Sequence, residues 1–109
     1  MIVSDDTVSK ALAYLADDPH PLAVAKFNLT TAENRTRETY ARLFLEAAGT
    51  IKERESQVET HPEIIKCREV EAECTFEHER HKSRQKAADN ICDIWRTDNA
   101  NARAAERIR

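Results

Sequence analysis

The sequence predicts an all-α fold: a short N-terminal helix followed by a long antiparallel helical hairpin of coiled-coil character. Three observations predict it. Gly49 is the only glycine among 109 residues, and the three prolines fall in two places, the Pro19-His20-Pro21 triplet and Pro62. Glycine supplies positive-φ turns and proline marks helix starts and stops, so a chain poor in both is built of long helices. Charged residues make up 34% and aromatics 6%, which suits solvated helices better than a sandwich or an α/β core. Finally, a seam from Ile64 to Ala102 keeps alternating steps of three and four throughout, as coiled-coil packing requires, apolar toward its ends and polar in its middle. At this length a single domain is expected.

Each element has its own signals. Ser4-Asp5-Asp6 reads as an N-cap with an acidic first turn, and Val8, Ala11, Leu12 and Leu15 follow at helical spacing. Asp17-Asp18-Pro19-His20-Pro21 closes this first element, residues 1–18. Pro21 then serves as the first residue of a second helix, where its missing N–H costs nothing. That helix is expected over about residues 22–59. Its weak point is Asn28-Leu29-Thr30-Thr31, where Thr30-x-x-Glu33 matches a capping box, so a restart competes with continuity. From Tyr40 onward, Tyr40, Phe44, Ala47 and Ile51 form one stripe, widened by Ala41, Leu45 and Ala48, with Leu43 beyond. An apolar face that broad exceeds what one neighbouring helix covers. Gly49 within it costs about 1 kcal/mol relative to alanine. It either lets a neighbouring helix approach closely or is simply tolerated.

Thr60-His61-Pro62-Glu63 is the clearest boundary. Thr60 and Glu63 stand at capping-box spacing, and Pro62 sits in a first helical turn, where proline is accepted. The turn is placed at residues 60–62 and the third helix at about 62–108, some 70 Å at about 1.5 Å per residue. So tight a connection implies an antiparallel hairpin over residues 19–109, with a single kinked rod as the rival. The seam of the third helix reads Ile64, Cys67, Glu71, Cys74, His78, His81, Gln85, Ala88, Cys92, Trp95, Asn99, Ala102. Folding about residue 61 sets Val58 against Ile64, Ile51 against Glu71, Phe44 against His78 and Phe27 against Trp95. A hairpin buries only one face of each helix, so the first helix and a second copy are wanted as cover. The expected assembly is a four-helix bundle, a homodimer.

Familiar chemistries find little support. One glycine provides no phosphate-cradling loop. His78-Glu79-Arg80-His81 spaces its histidines three apart, where the zinc-protease motif needs four. Cys74, His78 and His81 share one side of a helix, but Cys74 and His81 are about 10 Å apart along it, too far to grip one ion together. They are metal candidates only as a half-site completed by a symmetry mate, and no cofactor is expected. Cys67, Cys74 and Cys92 are an odd number, and Cys67 and Cys74 lie two turns apart, beyond disulfide reach within one helix. No nucleophile–base pair is favoured, and enzyme activity is not expected.

Net charge is −3, and its layout is more informative than its sum. Residues 43–79 hold ten acids against four bases, while residues 80–109 hold eight bases against four acids. The closed tip of the expected hairpin is therefore acidic and its open end basic. Two antiparallel hairpins would set each acidic tip beside the other's basic end. Their self-association surface would comprise Tyr40, Leu43, Phe44, Leu45, Ala48 and Ile51, with Trp95 as a further anchor. Lys82, Lys86, Arg96, Arg103 and Arg107 share an outer stripe and are the nucleic-acid candidates, although Asp89 and Asp93 interrupt it. The plainer reading of the same charges is a solvated face with i,i+4 pairing. His20 and His61 sit at turns, as exposed or capping residues.

No apolar run approaches the roughly 20 residues of a membrane span, and Met1 to Asp6 carry acid where a signal peptide carries base. A cytoplasmic location without membrane contact is expected. Function is expected to lie in binding: an adaptor, regulator or inhibitor that docks an unidentified protein partner through helix surfaces. A nucleic-acid accessory role and a Cys/His metal bundle are the alternatives. Small charged helical chains of this style are frequent among phage and mobile-element accessory factors, a likeness with no motif behind it.

Overall fold

The computed structural model describes residues 3–108, so the first two residues of the acidic N-terminal segment lie outside it. Among the described residues there are four helices and no strand: α1 (Asp5–Ala16), α2 (Pro21–Glu46), α3 (Ile51–Glu59) and α4 (Pro62–Ile108). The protein is all-helical with a long C-terminal helix, as predicted. The chain divides into two compact units. One is formed by Val24–Glu79; the other joins the residues up to Ala23 with those from Arg80 on.

In the terminal unit, Ser4 caps α1 by accepting the Thr7 N–H at 3.2 Å, and Asp5 and Asp6 occupy the first turn. Its buried residues are Val8, Ala11 and Tyr14, and Ala11 and Tyr14 join Ala88 and Cys92 of α4 in one core cluster. Leu12, expected to face inward, is 47% exposed, and Tyr14 turns inward instead, where its hydroxyl finds partners on α4. The Asp18–Pro19 peptide before α2 is cis.

α2 passes through Asn28-Leu29-Thr30-Thr31 without a break. Packing outweighs the weak local propensity, because Ala25, Leu29 and Ala32 are all buried on one face. The single helix expected over 22–59 is interrupted elsewhere, at residues 47–50. Gly49 adopts φ 112°, a conformation L side chains rarely take, and a Cβ there would run into the Glu53 side chain. Thr50 then caps α3, its hydroxyl accepting the Glu53 N–H at 3.2 Å. Side chains of α3 fasten the loop: Gln57 donates to the Ala48 carbonyl at 2.8 Å, and Arg54 to the Gly49 carbonyl at 3.1 Å.

This break resets the hairpin register. Val58 does meet Ile64; the two are 1% and 0% exposed and form a cluster with Leu43, on which Tyr40 and Phe44 pack. Because α3 occupies the turn, α2 meets α4 nearer its start than a continuous hairpin would allow. Arg42 pairs with Glu63, and the Cys67 thiol lies 3.6 Å from the Thr39 hydroxyl. Phe44 accordingly sits at the first turn of α4 and not opposite His78, while Ile51 and Phe27, expected in the seam, are 69% and 70% exposed.

The second boundary also differs in detail. Thr60 ends α3, its N–H and hydroxyl both donating to the Ser56 carbonyl, at 3.2 and 2.9 Å. His61 starts α4: its Nδ1 accepts the Glu63 N–H at 3.1 Å. His20 performs the same service for α2, accepting the Leu22 N–H at 3.1 Å. Each His-Pro pair is thus a helix start, in which proline removes one orphan donor and the imidazole satisfies the next.

The predicted inward face of α4 is well matched. Ile64, Ala88 and Cys92 are buried, the other seam residues from Cys67 to Asn99 are half-buried, and Ala102 is exposed.

Candidate interaction surface

The Val24–Glu79 unit carries a groove between α2 and α4. Small residues line the contact between α2 and α4, notably Ala32, Cys67 and Cys74, and they leave a groove of about 460 Å³ along one side of the helix pair. Its walls are Asn28, Thr31, Arg35 and Thr39 from α2, with Glu63, Lys66 and Val70 from α4. Larger facing residues would have closed it, since side-chain size sets the distance between packed helices.

Two long-range ion pairs of this unit brace the turn and leave the groove's cations Arg35 and Lys66 alone. Arg42 binds both Glu46 and Glu63, and Arg68 binds Glu59 across α3 and α4. The Arg68 guanidinium donates a hydrogen bond to Glu59 and holds its carboxyl below the ordinary carboxylate range, with desolvation opposing. The remaining acid–base contacts include the i,i+4 pairs Asp6–Lys10 and Glu33–Arg37, the solvated pairing expected of exposed helices.

The metal candidates take separate roles. Cys74 lines the groove, and His78 is half-buried with Nδ1 3.6 Å from Glu79. In the terminal unit, the Tyr14 hydroxyl donates to the His81 carbonyl at 3.0 Å and lies 3.1 Å from His81 Nδ1. With the one hydroxyl proton committed to the carbonyl, Nδ1 is the donor of that second contact. Among the described residues no group of three or more His, Cys, Asp or Glu side chains is placed to hold a metal ion.

The expected self-association residues fall into two sets. Leu43 is 6% exposed and spent on the internal cluster, with Tyr40 and Phe44 half-buried against it. That apolar face is covered by α3 and the start of α4, which sequence reasoning missed when it ran α2 through to residue 59. Leu45, at 79%, and Ile51 remain exposed, as does Ala48 in the loop; Trp95 is half-buried. Phe76, at 66%, is a further large apolar side chain in solvent. The nucleic-acid candidates Lys82, Lys86, Arg96, Arg103 and Arg107 are all exposed on α4, and Arg96 is tied to Asp93 at 3.2 Å. Among the described residues no helix is long and apolar enough to cross a membrane.

Fold and surface together define a small all-helical protein whose accessible features are helix faces and helix–helix grooves. No known protein family matches the chain, and neither curated proteins nor solved structures show a significant match to it.

Proposed function

We propose that this chain is a non-catalytic helical interaction protein, an adaptor, regulator or inhibitor that docks a protein partner through helix surfaces. Self-association into a four-helix bundle is part of the same reading. The observation that carries it is the exposure of Phe27, Leu45, Ile51 and Phe76, each about two-thirds or more in solvent. Fully burying one such side chain is worth about 1.5–3 kcal/mol, so these faces gain from cover. Only Val58 and Ile64 reach the deepest burial among the described residues, a slender core for the area left open.

Sedimentation or light scattering tests the assembly: a dimer at micromolar concentration supports it, and a monomer removes the bundle. Docking is tested by capture from the native host with wild type and with folded Phe27→Ser and Phe76→Ser variants. A partner held equally by all three argues against these faces. The exposed basic stripe on α4 favours a second reading, contact with nucleic-acid backbones. A salt titration with an oligonucleotide tests it, and no affinity at low salt removes it.

A further inference from the structure

We infer that a second copy docks along the groove side of α4 in the Val24–Glu79 unit, antiparallel about a two-fold axis at the level of Val70. Lys66 of each copy then lies beside Glu73 of the other. The inference rests on the bundle reading above and supplies its surface and register.

Three observations carry it. Lys66, Val70 and Glu73 stand at i, i+4 and i+7 on α4, so they share one stripe of that helix. Val70 is 39% exposed while lining the groove, which makes it an apolar centre still open to a neighbour. The small side chains of Ala32, Cys67 and Cys74 beneath it let another helix come close.

Charge selects the occupant and its direction. The stripe carries a cation one turn before Val70 and a carboxylate one turn after it. Among the described residues, neither Lys66 nor Glu73 has an ion-pair partner within the chain. A surface that changes sign across an apolar centre is complementary to itself under a two-fold axis. A parallel arrangement would instead set Lys66 on Lys66 and Glu73 on Glu73. The antiparallel register also brings Glu63 opposite Glu77, but Glu63 is paired with Arg42, which it shares with Glu46, and Glu77 is engaged within its own chain. Arg35 on the α2 wall adds a cation to the same groove.

The test is sedimentation equilibrium on the full chain as wild type, Lys66→Glu, Glu73→Lys and the double variant, with circular dichroism confirming equal helix content. Each single reversal turns two attractive contacts into two repulsive ones and should raise the dimer dissociation constant about tenfold, or 1.4 kcal/mol. The double variant should return to within about threefold of wild type. Wild-type-like dimerisation of the single variants, or no recovery in the double, overturns this surface and leaves the bundle standing. A wild type that stays monomeric overturns both.

Discussion

The Tyr14 hydroxyl donates to the backbone carbonyl of His81 at 3.0 Å, across 67 residues of sequence. The Tyr14 ring stacks on the His81 ring (6.1 Å between centroids, 6° between planes), meets His20 edge to face at 5.2 Å, and lies 4.5 Å beneath the Arg84 guanidinium. One buried side chain thus joins α1 to α4 by a hydrogen bond, ring packing and a cation–π contact. Tyr14→Phe should cost about 0.5–1.5 kcal/mol in urea unfolding. Tyr14→Ala should cost about 3–5 kcal/mol, as for other large aromatic truncations, and α1 should lose hydrogen-exchange protection first. Equal effects of the two substitutions would show that the hydroxyl, and not the ring, holds α1.

Gly49→Ala separates two chain paths by the sign of its effect. In a continuous helix the substitution would stabilise by about 1 kcal/mol. At φ 112°, with the Glu53 side chain in the way of a Cβ, it should destabilise by about 1–3 kcal/mol. A thermal melt decides between them.

Ile64 and Leu45 should respond very differently to truncation. Ile64 is 0% exposed at the junction of α2, α3 and α4, so Ile64→Ala should cost about 2–5 kcal/mol. Leu45 is in solvent, and Leu45→Ala should stay within about 0.5 kcal/mol when measured at low protein concentration.

The imidazole caps predict a pattern across two sites. His61→Ala and His20→Ala each remove the acceptor for a first-turn N–H and should cost about 0.5–2 kcal/mol. Asparagine at position 61 keeps a side-chain acceptor and should recover most of the loss in chemical denaturation, whereas at position 20 it leaves the ring contact with Tyr14 unreplaced and should recover less.

Glu59 should titrate below the ordinary carboxylate range because Arg68 hydrogen-bonds its ionised form. A depressed folded-state pKa contributes stability above the unfolded value and loses it as pH falls through the folded one. The Glu59–Arg68 contribution should therefore be complete near neutrality and be lost as pH falls below the ordinary carboxylate range. Carboxyl NMR should give an upward shift of the Glu59 midpoint in Arg68→Gln; an unmoved midpoint would remove Arg68 as the cause.

The face of α4 was legible because a heptad pattern is written locally, residue by residue. From Ile64 to Asn99 the expected seam is the less exposed side. The break at residues 47–50 was harder to see, since Ala47, Ala48 and Ile51 carry an apolar stripe straight across it. Its signal was Thr50-x-x-Glu53 directly after the lone glycine, at the spacing also found at Thr30 and Thr60, where no box forms. The groove had no local signal, because Arg35 and Lys66 become neighbours only once α2 and α4 adopt their register.

By itself the sequence determined that this protein is helical, where its first and last helices begin, and which side of the long one turns inward. Those are properties of capping, proline placement and a 3.6-residue period, all contained within a few consecutive residues. The tertiary structure alone decided that Leu43 and not Leu45 is buried, and where α2 meets α4. Such choices are settled by competition for burial among residues distant in the chain, and no local pattern records the winner.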